Sequence, residues 1–273
     1  MTISNSQPKM GPVSPDRSQE SPLVSIVTPS YNQAPFLEET IESVLGQDYP
    51  QIEYIVMDGG SKDESPEIIR RYADRLAWWV SEPDLGQTDA INKGFKRARG
   101  EFFGWLNSDD TYVPHAVSEA VGFLQAHPEA GMVYGDANFI NGQGQIIGRF
   151  YAKQTSYQKL RRGAVYIPQQ ASFFRASIWR EIGPLDPSFY FAMDYDLWVR
   201  IAAIAPIHYH PRSWANFRLH AGAKTISEDP RCWPEMLRVH RRDGGSWLSV
   251  IALRYLARTM LRRVITGRRT ARI

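Results

Sequence analysis

Leu23-Val24-Ser25-Ile26-Val27-Thr28-Pro29 is a nearly continuous apolar run closed by a proline. Such a run reads as a strand buried on both faces, as in a parallel sheet. Phe36, Leu37, Ile41, Val44 and Leu45 then recur at helical spacing, and Gly46 supplies a stop. The same alternation continues outward. Ile52 to Met57 makes a second buried strand, running into Asp58-Gly59-Gly60-Ser61, and Ala77 to Val80 a third, running into Ser81-Glu82-Pro83-Asp84. An amphipathic helix covers Gln87 to Ala98, and a strand from Glu101 to Leu106 ends at Asn107-Ser108-Asp109-Asp110. Strands alternating with helices predict an α/β fold whose mostly parallel sheet carries helices on both faces. Ligands of such sheets bind outside the carboxyl ends of the strands, where three of these strands end in polar, acidic segments.

Beyond this region the pattern changes. Met132 to Phe139 and Gln145 to Tyr151, separated by Asn141-Gly142, predict a hairpin. A strand near Ala171 to Phe174, a helix near Asp194 to Ile204 and a β-rich stretch from Ile207 to Leu219 follow. The first twenty residues are polar, contain three prolines and read as a disordered leader without the apolar core of a signal peptide. No charge-free stretch of ~18 apolar residues occurs, so no membrane-spanning helix is expected. A single cysteine, Cys232, excludes an intrachain disulfide framework and suits a cytoplasmic setting. The chain carries a net charge of +3, but residues 246–273 hold seven arginines and no acid, leaving −4 on the rest. That balance argues against a nucleic-acid-binding core.

The acidic strand ends invite two readings each. Asn107-Ser108-Asp109-Asp110 holds oxygens close together in a turn, as hard divalent cations require; Asp109 or Asp110 could equally cap a helix starting near Pro114. In Asp58-Gly59-Gly60-Ser61-Lys62-Asp63 the glycines admit close backbone approach and Asp58 can accept a hydrogen bond from a base or ribose; the alternative is a turn with Asp63 as helix cap. Asp194 and Asp196 open a helix, where a carboxylate can take a proton from an attacking hydroxyl or simply favour the helix dipole. His220 is a possible metal ligand or an ordinary hydrogen-bonded histidine. Neither the dinucleotide-binding nor the P-loop glycine pattern is present.

Taken in order, Thr28-Pro29-Ser30-Tyr31-Asn32, Asp58-Gly59-Gly60-Ser61, Ser81-Glu82-Pro83-Asp84, Asp89-Ala90-Ile91-Asn92-Lys93-Gly94, Leu106-Asn107-Ser108-Asp109-Asp110, Met193-Asp194-Tyr195-Asp196-Leu197-Trp198 and Phe217-Arg218-Leu219-His220 closely resemble family 2 glycosyltransferases of the GT-A fold. The resemblance spans about Ser25 to Thr225. It implies a Rossmann-like GT-A domain over 21–228, between the 1–20 leader and a helical basic tail over 229–273. It further implies a metal-dependent inverting transfer of a sugar from a nucleotide-sugar donor, a UDP-sugar foremost, to a saccharide or lipid-linked acceptor in polysaccharide, lipopolysaccharide or glycolipid assembly. By the same resemblance Pro29, Tyr31 and Asp58 would hold the nucleoside, with Thr28 and Ser61 beside them. Asp89 and Lys93 would lie near ribose, phosphate or donor sugar, and Asn107 and Ser108 would join the donor site. Asp109 would ligate Mn²⁺ or Mg²⁺, His220 would be a second ligand or a diphosphate contact, and Asp194 would be the base. Two departures stand out: Asn107 replaces the first carboxylate of the family's D-x-D motif, and Met193 replaces the acidic neighbour of the base.

Asn107 and Met193 keep a second expectation open, a nucleotide-sugar-binding protein with little transfer activity. A sugar nucleotidyltransferase is a third, disfavoured by the lack of a glycine-rich basic loop between Thr28 and Phe36. In the tail, Val250, Leu253, Ala257, Met260 and Val264 form one apolar stripe, and Arg254, Arg258 and Arg262 lie on another face. Such a C-terminal amphipathic helix, flanked by Trp247, suits either an anionic membrane surface or packing on protein.

Overall fold

The computed structural model describes residues 21–163, 165–224, 232–246, 249, 252–253 and 255–256. Its elements run β1 (Val24–Ser30), α1 (Ala34–Leu45), β2 (Ile52–Asp58), α2 (Ser65–Arg71), β3 (Trp78–Ser81), α3 (Gln87–Arg97), β4 (Phe102–Trp105), β5 (Thr111–Tyr112), α4 (Ala116–Ala126), β6 (Met132–Ile140), β7 (Ile146–Phe150), α5 (Tyr157–Leu160), β8 (Ser172–Arg175), α6 (Ala176–Ile182), α7 (Met193–Ile204), β9 (Ile207–Arg218) and α8 (Cys232–Arg242). The sheet order is β3-β2-β1-β4-β8-β6-β9-β5, with β7 beside β6. From β3 to β4 all neighbours are parallel, as the apolar runs predict. Further on the sheet is mixed: β8 is antiparallel to β4 and β6, while β9 runs parallel to β6.

Burial on two faces explains the unbroken apolar runs. Val24, Ile26, Tyr54 and Val56 pack on Leu37 and Ile41 of α1, Ile69 of α2 and Val117 of α4. Val27, Ile55 and Met57 face the other way, onto Ala90, Ile91 and Phe95 of α3 and Trp179 and Trp198 of α6 and α7. Each such side chain contributes about 1.5–3 kcal/mol by leaving water. Gly94 lets α3 approach this closely, since a Cβ there would fall 2.5 Å from Val27 Cγ1.

Pro29 sits inside β1 without breaking it, and the register shows why. The Val27 carbonyl accepts from Leu106 on the β4 side, and the Ser30 carbonyl accepts from Gly59 on the β2 side. Alternation therefore turns the Pro29 nitrogen toward β4, past the last β1–β4 pair, Val27 with Trp105. No ladder bond is lost there. β1 and β4 part at this point, opening the sheet edge where the chain order switches.

Three sequence expectations meet the structure differently. The expected hairpin forms from β6 and β7, and its loop is residues 141–145: Asn141 Oδ1 accepts the N–H groups of Gln143 and Gln145, each at 3.0 Å, and Gly144 is left-handed (φ 77°). α4 begins beyond Asp110; His115, itself left-handed (φ 68°), stands at its N-cap, so neither Asp109 nor Asp110 caps a helix. The leader and nearly all of the arginine-rich tail helix fall outside the described residues, among which no helix is long and apolar enough to cross a membrane.

Candidate active site

The carboxyl ends of β1, β2 and β3 are stitched together by side chains. Asp58 closes β2 and is 2% exposed. Its Oδ2 accepts the Ser61 N–H at 3.0 Å and the Ser81 hydroxyl at 2.6 Å, and its Oδ1 accepts the Ser61 hydroxyl. Ser61 Oγ accepts the Asn32 N–H at 2.7 Å, and Asn32 Oδ1 accepts the Lys62 N–H at 2.9 Å. Asp63 bonds the N–H groups of Ala34 and Ser65, so it ties the starts of α1 and α2 together. Gly59 has no room for a side chain, because a Cβ would lie 2.8 Å from Asp84 Oδ2. Thr28 is buried, its hydroxyl 3.0 Å from that of Tyr54, and Pro29 is buried beside it. Tyr31, by contrast, is 60% exposed at the rim.

On α3, Asp89 Oδ2 accepts the Leu85 N–H at 3.1 Å and pairs with Lys93 at 2.9 Å. Burial works against its charge, but Lys93 and the Leu85 N–H prevail and hold the carboxyl below its usual range. The bond to Asp89 in turn raises the Lys93 ammonium.

Asn107, just past β4, is the centre of a neutral network. Its Oδ1 accepts from Gln87 Nε2 at 2.7 Å and from Trp105 Nε1 at 3.0 Å, while its Nδ2 donates to Gln169 Oε1 at 3.1 Å. Gln169 Nε2 donates to the Trp105 carbonyl at 2.7 Å, and Lys224 Nζ donates to Gln87 Oε1 at 2.7 Å. Both lone pairs of the Asn107 amide oxygen are therefore engaged within the protein.

Beside this network lies a charged one. Asp109 Oδ2 stands 3.1 Å from His220 Nε2, and the two side chains are 19% and 14% exposed. Arg218, at the end of β9, donates from Nε to the Asp109 carbonyl at 2.8 Å and pairs with Glu39 of α1, and its N–H donates to Asp110 Oδ1 at 2.9 Å. Phe36 packs against both Arg218 and His220. Ser108 and Asp110 are buried. Asp110 Oδ2 has no hydrogen bond of ordinary geometry, and burial together with the Asp109 charge pushes its carboxyl well above the usual range.

A divalent cation fits this corner only as a shared ligand. Asp109 and His220 offer one oxygen and one nitrogen, and among the described residues no three His, Cys, Asp or Glu side chains converge. The remaining oxygens would have to come from a bound phosphate and water, as is common for Mg²⁺-type sites.

Asp194 opens α7 and lines a cavity of 210 Å³ shared with Gln87, Asn107, Gln169 and Lys224. Burial pushes its carboxyl up to about 6; its bond from the Tyr195 N–H, at 2.6 Å, and the Lys224 charge act the other way. The helix start is fixed from outside by Glu235 of α8, whose carboxylate accepts the N–H groups of Tyr190 (3.0 Å), Phe191 (2.7 Å) and Ala192 (3.0 Å). Asp196, one turn face away, is 1% exposed and held by Arg200 and Arg242. Asn107 and Asp194 thus meet in one cavity. Asp109 lies against His220, and Asp58 at the β2 tip, outside its lining. Gln87, Gln169, Lys224 and Glu235 were not singled out by sequence; only the paired Gln169-Gln170 after Pro168, polar residues ahead of a buried strand, offered a signal.

Comparison with known proteins gives the family and the fold. The description Glycosyl transferase family 2 matches residues 25–182. An uncharacterized glycosyltransferase of Rickettsia felis is 32% identical over 220 residues, which is 76% of this chain but 36% of that protein, so the chain spans about a third of that relative's length. TarS of S. aureus, solved with UDP-GlcNAc, superposes with a TM-score of 0.68 at 17% identity, covering 86% of this chain and 71% of that one. The mannosyltransferase PcManGT of Pyrobaculum calidifontis, solved with GDP-Man and Mn²⁺, gives a TM-score of 0.59 at 20% identity, covering 96% and 86%. These structural likenesses establish the GT-A fold.

Proposed function

Because the chain belongs to glycosyl transferase family 2, we propose that it moves a sugar from a nucleotide-sugar donor to an acceptor hydroxyl by a single displacement with inversion. The observation that carries this reading is Asp194, a carboxyl raised to about 6 at the wall of a cavity. A base with a pKa near the working pH is ionised yet still basic enough to accept a proton. The acceptor oxygen attacks the anomeric carbon, the bond from that carbon to the diphosphate oxygen breaks, and the hydroxyl proton passes to Asp194.

The stitched strand tips, with Pro29, Tyr31, Asp58 and Ser61, hold the nucleoside in this reading. Asp89 and Lys93 lie toward the ribose, phosphate or donor sugar. A Mn²⁺ or Mg²⁺ ion between Asp109, His220 and the diphosphate would neutralise charge on the leaving group. UDP-sugars are the first donors to try, because the neighbour TarS was solved with UDP-GlcNAc. The acceptor is a hydroxyl of a growing polysaccharide, lipopolysaccharide or glycolipid, met in the cytoplasm or at its membrane face.

A thermal-shift screen of UDP-, GDP- and dTDP-sugars with and without Mn²⁺ should identify the donor, since ligands of the folded state raise its stability. With that donor, Asp194→Asn should lose roughly 10²–10⁴-fold in transfer and keep the donor-induced shift. Undiminished transfer would remove Asp194 from the role. Binding without turnover in the unaltered protein would favour a nucleotide-sugar-binding protein instead, which the fully engaged Asn107 oxygen motivates.

A further inference from the structure

α7, which carries Asp194, starts without a cap of its own. Its N-cap position is Ala192, whose side chain has no acceptor to offer. The backbone ahead of it is held from two sides instead. On one side stands α3: Thr88 Oγ1 donates to the Phe189 carbonyl at 3.1 Å, and the Asn92 amide exchanges two bonds of 2.9 Å with the Leu185 backbone. On the other stands α8, where Glu235, Arg238 and Arg242 follow one another at helical spacing on one face.

Each of these three engages the segment around the start of α7. Glu235 Oε2 accepts the N–H groups of Tyr190 at 3.1 Å, Phe191 at 2.7 Å and Ala192 at 3.0 Å, and Oε1 shares the first at 3.0 Å. Arg238 donates to Ser188 Oγ at 2.8 Å and lies 3.7 Å from the centre of the Phe189 ring. Arg242 pairs with the buried Asp196. Val239, on the apolar side of α8, packs in the same core as Tyr195, Leu197 and Trp198 of α7. A carboxylate that accepts successive backbone N–H groups at a helix start combines charge-assisted bonds with a favourable helix dipole. Tyr190, Phe191, Met193 and Asp194 all line the cavity, so whatever fixes this turn fixes the cavity wall.

We propose that Glu235 is a positioning residue for the transfer: by holding the backbone of residues 190–192 it keeps Asp194 at the cavity wall, and the catalytic unit therefore runs through α8. This rests on the reading of Asp194 as base. Glu235 lies well beyond residues 25–182, the part of the chain that the family description matches. A base must come within ~2.6–3.2 Å of the proton it takes, and a misplacement of about 1 Å can cost ~10²-fold. Three N–H groups that lose their shared acceptor have to find water or new partners, and the turn that carries them moves.

Carbon-13 NMR of the aspartate carboxyls in the full chain, with Asp194 assigned from Asp194→Asn, tests this without turnover. It therefore stands or falls apart from the role of Asp194 as base, which the transfer assay of Asp194→Asn decides. In the unaltered protein Asp194 should titrate at about 6. Lys224, the other charged residue described in the cavity lining, pulls that value down and is present in every variant. Glu235→Ala frees the turn, lets water reach the carboxyl and should bring its titration at least ~1 pH unit lower. Glu235→Gln places an amide oxygen where Oε2 accepts all three N–H groups, and should keep the titration within ~0.3 pH units of the unaltered protein. Leu124→Ala, a truncation on α4 in the other core, lowers stability and should leave the titration unchanged. A titration unmoved by Glu235→Ala, or moved equally by Leu124→Ala, would overturn the proposal. So would one moved as far by Glu235→Gln as by Glu235→Ala, which would assign the effect to charge alone. In transfer, with the donor identified by thermal shift, Glu235→Ala should lose ~10–10²-fold in kcat at unchanged donor KM, and Glu235→Gln should recover most of it. A change confined to KM would equally overturn the assignment.

Discussion

Replacing Asp194 by Asn should make the protein more stable at neutral pH while it destroys transfer. Burial sets the Asp194 carboxyl at about 6, against 3.8 for the same group free in solution. The folded state therefore binds this proton more tightly than the unfolded chain. Between pH ~4 and ~6 the unfolded state ionises first, so stability falls as pH rises and stays low above ~6. The shift of about two units corresponds to about 3 kcal/mol at pH 7.5, and the same linkage leaves only about 0.5 kcal/mol at pH 4. An Asn side chain keeps the oxygen that accepts the Tyr195 N–H and has no charge to bury. Calorimetry of Asp194→Asn against the unaltered protein should show a gain of up to about 5–10 °C at pH 7.5, shrinking nearly to zero at pH 4. Donor-saturated transfer by the unaltered protein should rise with pH through about 6 and then level off. A variant that melts lower at pH 7.5, or gains equally at both pH values, would refute the claim that the protein disfavours the Asp194 charge.

Three further outcomes follow from the packing. Asp109→Asn and His220→Ala should each abolish the extra thermal shift that Mn²⁺ adds to a nucleoside diphosphate, while the shift from the nucleotide alone survives; a retained Mn²⁺ effect would move the cation elsewhere. Glu235→Ala removes the acceptor of three N–H groups and should cost about 2–3 kcal/mol, read as a lower urea midpoint with unchanged slope. Gly94→Ala gains up to ~1 kcal/mol in helix propensity but drives a Cβ to 2.5 Å from Val27 Cγ1, so it should destabilise by about 1–3 kcal/mol. Val27→Ala in the same chain should recover part of that loss, because the clash is with that side chain alone on β1.

The first half of the fold was legible because β1, β2 and β4 are buried on both faces, which writes them into the sequence as apolar runs with polar ends. The roles proposed for Asp58, Asp109 and Asp194 are not legible in periodicity; they come from the ordered set of motifs. Local signals misled where a side chain from elsewhere took over the backbone. Asp109-Asp110 looks like a helix cap, yet Arg218 and His220, more than a hundred residues on, engage both acids first. Gln87 and Lys224 carry no local mark at all, and Gln169 only its place after Pro168, since what makes them part of the site is contact across the sheet edge.

The same network gives a physical reason for the amide where relatives by motif carry a carboxylate. Asn107 Nδ2 donates to Gln169 Oε1; an aspartate there would set two acceptor oxygens against each other. It would also add a third carboxyl beside Asp109 and Asp110, where the charge of Asp109 already works against ionisation of Asp110. The β4 tip therefore trades charge for a fixed hydrogen-bonded hub that joins α3, β4 and the Gln169 segment. A cation at this tip would meet one carboxylate and one imidazole, so most of its oxygen ligands must arrive with the donor diphosphate. In the proposed transfer, metal and donor binding would then be coupled through the shared diphosphate, and the neutral amides face the cavity that Asp194 lines.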